Sequence, residues 1–266
     1  MRYGCCLNMI AEGDDITGID HLEELAAMGY DYAELPLTQM MELSDAAFSE
    51  LAARVAASPI ACETCNNFLP GTFQLTGPDA DATPVLEYAD RAFGRVAPLG
   101  VKIVVFGSAG AKMLPEGWPE ERGYEQLTEF LQALDPICQR HGISIAIEPL
   151  ERGECNIVNS FAEGVKLARL TDRATTRVLV DFYHLFLESE PVQHLIDEGA
   201  EFLSHVHFAN PAGRVFPTSL SECDYQSFAQ AIKAAGYDAR VSCEAYTNDF
   251  ASAGPKTLAL FHELFD

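Results

Sequence analysis

The chain has 266 residues, 48% of them hydrophobic, with a mean hydropathy of +0.02, which suits one large globular domain or two small ones. Its formal charge of -23, from 40 acidic against 17 basic residues, repels phosphate backbones and anionic lipid, so nucleic-acid and membrane partners are disfavoured. No apolar run is long enough to span a bilayer, no signal-peptide core is seen, and eight cysteines in a chain this size make no disulfide framework, so a reducing cytoplasm is expected.

Tyr3–Met9 reads as a strand, and Ile19–Met28 as a helix that stops at Gly29. Tyr32–Leu35 is a second strand. Ser44 caps a helix through Ala57, with Phe48, Leu51 and Val55 at helical spacing. Ile60–Cys65 is the third strand, and Asn66–Thr83 a long loop. A helix over Val85–Leu99 leads to the strand Val101–Phe106 and the Gly/Pro loop Gly107–Pro119. Leu127, Phe130, Leu131, Leu134 and Ile137 mark a helix ending near His141-Gly142. In the fifth strand, Ser144–Glu148, the β-branched residues Ile143, Ile145 and Ile147 share one face, and Pro149 ends the ladder. Ser160 caps a helix through Leu170, and Val178–Asp181 is the sixth strand. Pro191 opens a helix to Gly199, and Leu203–Phe208 is the seventh strand. A helix over Tyr225–Ala235 precedes the eighth strand, Arg240–Ala245, and Pro255–Phe265 is the last helix.

Eight strand–helix units in regular alternation, with no linker, predict an α/β fold, a single-domain (β/α)8 TIM barrel over residues 1–266. A doubly wound sheet is the poorer fit. It rarely reaches eight units, and Asn8-Met9-Ile10-Ala11-Glu12 stands where its glycine-rich loop belongs.

In such a barrel the chemistry gathers at the carboxyl ends of the strands. Alternation turns Ser144, Ala146 and Glu148 inward, then Leu179 and Asp181, then His205 and His207, then Arg240, Ser242 and Glu244. Four consecutive strands thus aim Glu148, Asp181, His207 and Glu244 at one point. Three carboxylates that close repel strongly, and a divalent cation is the simplest remedy. Oxygen ligands plus one imidazole suit Mn²⁺, Mg²⁺ or Co²⁺ better than a thiolate zinc site. Lys112 is a candidate substrate contact or a solvated lysine, and Asn8 and Glu34 stand where they orient hydroxyls or merely cap strand ends. His205 reads as a deeper barrel residue. Trp118 stands where it either covers a sugar face or anchors its loop on the barrel rim, and anchoring is the expectation. Cys62 and Cys65 are expected to pack on opposite faces of their strand.

Ile147-Glu148-Pro149-Leu150 with Arg152, then Asp181-Phe182-Tyr183-His184, then His205-Val206-His207, then Cys243-Glu244, resemble the xylose-isomerase-like (AP endonuclease family 2) sugar isomerase/epimerase superfamily. Ketose 3-epimerases and inosose isomerases are nearest in motif. The resemblance implies one divalent ion, Mn²⁺ before Mg²⁺ or Co²⁺, on Glu148, Asp181, His207 and Glu244, with Glu148 and Glu244 also shuttling the proton. It implies substrate contacts for His184 and for Arg214, which lies one residue further from His207 than the pattern expects. Glu151 replaces the usual asparagine before Arg152, and Gly107–Lys112 lacks the epimerases' aromatic. The expected activity is proton abstraction next to a carbonyl of a sugar or keto-polyol, through a metal-stabilised enediolate. The alternative is elimination on the same barrel, by a keto-inositol dehydratase or a lyase of 3-keto-glycosides. A DNA-repair endonuclease would need histidines where Cys65-Asn66 and Phe106-Gly107 stand, and a basic face. A non-catalytic sugar-binding or scaffolding barrel is the other rival. A homo-oligomer or a partner subunit stays open.

Overall fold

Eight parallel strands close on themselves in chain order, each hydrogen-bonded to its sequence neighbours and β1 to β8, in the structure, a computed structural model that describes residues 1–266. They are β1 (Arg2–Cys6), β2 (Tyr32–Pro36), β3 (Ala61–Asn66), β4 (Ile103–Phe106), β5 (Ser144–Ile147), β6 (Thr176–Asp181), β7 (Leu203–Phe208) and β8 (Arg240–Cys243). This is the TIM barrel expected. No helix is long and apolar enough to cross a membrane.

Two apolar cores follow from the period-2 alternation. Outward-facing side chains such as Ile145, Ile147, Val178, Val206 and Val241 join the helices in one large core. Inside the barrel Ile103, Val105, Ala146 and Leu179 form a small apolar cluster, with the Tyr32 ring and Cys6 also buried there. The rest of the interior is polar. At the amino-terminal end, Glu63 joins Arg2 and Arg240, with Arg240 Nε 2.7 Å from Glu63 Oε2.

Two register shifts aim the interior. Between β2 and β3, Ala33 pairs with Cys62 but Glu34 with Thr64, so Glu63 is an extra residue. This overturns the expectation for the C-x-x-C pair. The bulge brings Cys62 and Cys65 to the same face, where both are buried, unbridged thiols of the outer core. Between β6 and β7, Val178 pairs with Leu203 but Leu179 with His205, which sets His207 beside Asp181.

The helix caps are those the sequence names. Ser44 Oγ accepts from Ala47 N, Ser160 Oγ from Glu163 N, and Gly29 and Gly142 turn left-handed at φ 95° and 66°. The helix expected from Pro255 instead starts at Phe250, capped by Asp249. Two short helices, Leu37–Glu42 and Phe182–Leu187, follow β2 and β6 directly, where the sequence pattern names no element. The first strand ends at Cys6, and Leu7–Ile10 is a 3-10 turn.

Candidate active site

The four strand-end residues meet. One ligand atom from each of Glu148, Asp181, His207 and Glu244 lies within 4.8 Å of the others, and all four side chains are buried. His207 Nδ1 is 3.1 Å from both Glu148 Oε1 and Glu244 Oε2, between carboxylates from β5 and β8. Burial works against a charged imidazole. Glu244 and Glu34 outweigh it and hold His207 well above the usual histidine range. Asp181 shows the reverse balance. Burial, with Glu244 and Glu148 adding to it, pushes its carboxyl up to about 7 despite Arg214. Three carboxylates and an imidazole at this spacing form a donor set suited to a hard divalent cation.

Glu34 is not in the pocket, as a hydroxyl-orienting role would require. It lies wholly buried inside the barrel, with Oε1 3.1 Å from His207 Nε2 and Oε2 2.9 Å from His205 Nε2. Thr64 and Ser242 also donate to Oε2, at 2.8 and 2.6 Å. Burial opposes its ionisation, and the two histidines overcome this and hold it well below the usual carboxylate range. An acceptor on Nε2 orients the ring and leaves Nδ1 for the carboxylate cluster. His205 is the deeper residue expected, serving Glu34.

Lys112 is likewise neither a pocket contact nor solvated. It is fully buried, and its Nζ donates to the Glu148 carbonyl oxygen at 2.7 Å.

His184 follows Asp181 in the helix Phe182–Leu187, whose N-terminus Asp181 itself caps by accepting from Tyr183 N. Glu151 N donates to His184 Nδ1 at 3.1 Å, so the ring proton sits on Nε2. That Nε2 has no hydrogen-bond partner and lies 3.7 Å from Asp181 Oδ2. Burial, with Arg214 nearby, pushes the His184 pKa down to about 3, so the ring is a neutral donor.

Arg214 reaches the cluster from the hairpin after β7, at a left-handed φ of 52°. Its Nη2 donates to Glu244 Oε2 at 2.6 Å and lies 3.4 Å from Asp181 Oδ2. Its guanidinium stands 4.8 Å from the Tyr183 ring centroid. Burial raises the Glu244 pKa, but His207 and Arg214 hold the carboxyl well below its usual range.

Two participants escaped the sequence reading. Asn66, at the end of β3, donates to Glu244 Oε1 at 3.0 Å and to Asn8 Oδ1 at 2.9 Å. It was read only as the place of an absent histidine. Glu154 faces Arg214 Nη1 at 3.4 Å, and its signal was its place six residues past Glu148. Trp118 donates to Gln126 and anchors its loop, as expected.

A cleft of about 420 Å³ opens over the cluster. Asn8, Asn66, Glu148, Glu154, Arg214 and Glu244 line it, together with Thr38, Gln39, Asn67 and Ser108. A closed parallel barrel with a buried acid–histidine cluster under a polar cleft at the carboxyl ends of its strands defines an enzyme-type (β/α)8 barrel. The chain belongs to the xylose isomerase-like TIM barrel family, whose model matches residues 22–260. It is 23% identical to the D-psicose 3-epimerase of Ruminiclostridium cellulolyticum over 236 residues, 85% of this chain and 77% of that enzyme. A D-psicose 3-epimerase solved in the presence of D-fructose superposes with a TM-score of 0.87 at 18% identity, over 99% of both chains. A 3-keto-D-glucoside 4-epimerase from E. coli superposes with a TM-score of 0.80 at 20% identity, also over 99% of each. These relatives are sugar epimerases, a kind of isomerase.

Proposed function

We propose that this protein is a divalent-metal-dependent sugar isomerase/epimerase, acting on a ketose or related keto-polyol by moving the proton next to a carbonyl. The observation that carries the reading is the pair Glu148 and Glu244, brought from the ends of β5 and β8 to within 3.1 Å each of His207 Nδ1. The names of the relatives support it.

Glu148, Asp181, His207 and Glu244 would hold the cation, Mn²⁺ in first place and Mg²⁺ or Co²⁺ after it. The cation supplies a Lewis acid that acidifies the C–H beside a carbonyl. Glu148 and Glu244 act as the two bases. One takes the proton, and the other returns a proton to the opposite face of the enediolate, which is epimerisation. His207 and Arg214 keep Glu244 ionised, which leaves it unprotonated but lowers its basicity, so the proton it takes must come from a C–H acidified beside the carbonyl. Arg214, in the cleft lining, offers its guanidinium to substrate oxygens, and His184, buried behind that lining beside Asp181, offers its unpartnered Nε2–H to an oxygen that reaches the carboxylate cluster. Asn8 serves Glu244 through Asn66 at the rim of the cleft.

The test is turnover in D₂O with Mn²⁺, over ketoses, inososes and 3-keto-glycosides. Deuterium is expected at the carbon next to the carbonyl in the product. Glu148→Gln and Glu244→Gln are each expected to lower turnover by about a thousandfold or more, with the fold intact. Chelated protein should lose activity and melt at a lower temperature, since a ligand bound only by the native state stabilises it. Product free of solvent deuterium over many turnovers would point to hydride transfer and refute the two-base route.

A further inference from the structure

We propose that Gly107 and Lys112, on the loop after β4, together seat the Glu148 carboxylate, Lys112 acting as a positioning residue that fixes the main chain beneath it. This rests on the base role given to Glu148 above.

The Glu148 backbone is where a strand runs out of partners. β5 ends at Ile147, Pro149 has no N–H, and no backbone N–H donates to the Glu148 carbonyl. An unpaired buried carbonyl is costly, and Lys112 Nζ supplies the donor at 2.7 Å. The same Nζ lies 3.5 Å from the carbonyl of Phe106, the last residue of β4, so one ammonium ties two adjacent strand ends. Lys112 forms no ion pair with any carboxylate, although it is fully buried. A buried ammonium held by two carbonyls and, 5.6 Å away, the face of the Phe106 ring, with no carboxylate, is costly in itself, and what it supplies is a donor to those carbonyls.

Gly107 fixes the side chain of the same residue. A Cβ at position 107 would stand 2.3 Å from Glu148 Oε2, so only glycine leaves that oxygen its place. The other oxygen, Oε1, is the one 3.1 Å from His207 Nδ1. Carbonyl, Oε1 and Oε2 are therefore each constrained by a different neighbour, and two of the three constraints come from one six-residue stretch. That stretch is also braced. Ser108 Oγ accepts from Leu69 N at 3.1 Å, Leu75 N donates to Ala111 O at 2.8 Å, and Thr76 Oγ1 donates to Met113 O at 2.6 Å. The loop that walls the cleft at Leu69 and Gly71 thus hangs on the segment that seats Glu148.

The experiment compares Lys112→Met, Lys112→Arg, Gly107→Ala and a Glu148→Gln control. Mn²⁺ binding is measured by calorimetry without substrate. Exchange of the proton next to the carbonyl with D₂O is then followed from each epimer separately at saturating Mn²⁺. Lys112→Met and Gly107→Ala are expected to weaken Mn²⁺ binding by about 10- to 100-fold. They should also slow exchange from the epimer that Glu148→Gln disables more than from the other, and Lys112→Arg should recover most of both. Gly107→Ala leaves the buried ammonium in place, so it decides the matter if Lys112→Met fails to fold. Wild-type Mn²⁺ binding and even exchange from both epimers in the Lys112 and Gly107 variants, with Glu148→Gln inactive, would overturn the seat and leave the base role standing. Unimpaired exchange in Glu148→Gln would remove the base role instead, and the calorimetry alone would then judge the seat.

Discussion

Every ionisable side chain lining the cleft comes from the second half of the barrel: Glu148, Glu154, Arg214, Glu244 and Tyr246. The first half lines it with Asn8, Thr38, Gln39, Asn66, Asn67 and Ser108, amides and hydroxyls that hold one state at all ordinary pH values, and with small or apolar residues. A proton-transfer centre needs groups whose charge changes and whose pKa values differ, such as Asp181 at about 7 beside a strongly ionised Glu244. Recognition of a polyol needs fixed donors and acceptors. Under the proposed function the two tasks fall to the two halves of the barrel, which meet where Asn66 donates to Glu244 Oε1.

Glu34 is a charged residue of the first half that faces the barrel interior beneath the cluster rather than the cleft. Its removal is the strongest challenge to the comparison. Glu34→Gln keeps the shape but replaces the carboxylates' partner for two imidazole nitrogens, 3.1 Å from His207 and 2.9 Å from His205. It is expected to lower Mn²⁺ affinity by about 10- to 100-fold, measured by calorimetry, although it touches no substrate. Unchanged affinity would mean that Glu34 only satisfies His205 and that the second half holds its cation unaided.

His184 sharpens the comparison from the other side, as a residue of the chemical half with a recognition task. Glu151 N fixes its tautomer, and its Nε2–H is unpartnered. His184→Ala is expected to leave Mn²⁺ content near normal, by elemental analysis, while kcat/KM falls by about tenfold or more. Loss of the metal on that change would make His184 a ligand and enlarge the cation site.

The chemical half was legible in the sequence, and the physical reason is strand periodicity. Once the strands containing Glu148, Asp181, His207 and Glu244 are located, a period of two decides which side chains face in, and closure of the barrel brings them together. The recognition half was not legible. Thr38 and Gln39 sit on the short helix Leu37–Glu42, which six residues of modest pattern do not announce, and Asn67 owes its direction to a left-handed φ of 50°. Depth was hidden as well. Glu34 and Lys112 could be picked out as polar residues near strand ends, but whether such a residue points into the cleft or beneath it depends on register. The Glu63 bulge, which pairs Glu34 with Thr64 and turns two thiols to one face, leaves no mark in the alternation.

The smallest effect belongs to the neutral wall. Gln39 is the residue to change, because its neighbours are less informative. Asn67 combines its left-handed backbone with a carbonyl that accepts from Thr38 N at 3.0 Å, so replacing it would disturb the loop as well as the cleft. Gln39 lies on a helix, where alanine fits the backbone, and its recorded tie is a 3.4 Å contact from Asn67 Nδ2 to its Oε1. One lost neutral hydrogen bond to a sugar hydroxyl is worth about 0.5–1.5 kcal/mol, so Gln39→Ala should raise KM by about two- to tenfold. The group makes no contact with Glu148, Asp181, His207 or Glu244, so kcat and Mn²⁺ affinity should stay near wild type. The pattern to look for across a panel of ketoses is a change in their ranking by kcat/KM, because a fixed amide reads one hydroxyl configuration better than its epimer. A fall in kcat with KM unchanged would show that the first half also takes part in the transition state, and the division of labour between the two halves of the barrel would have to be abandoned.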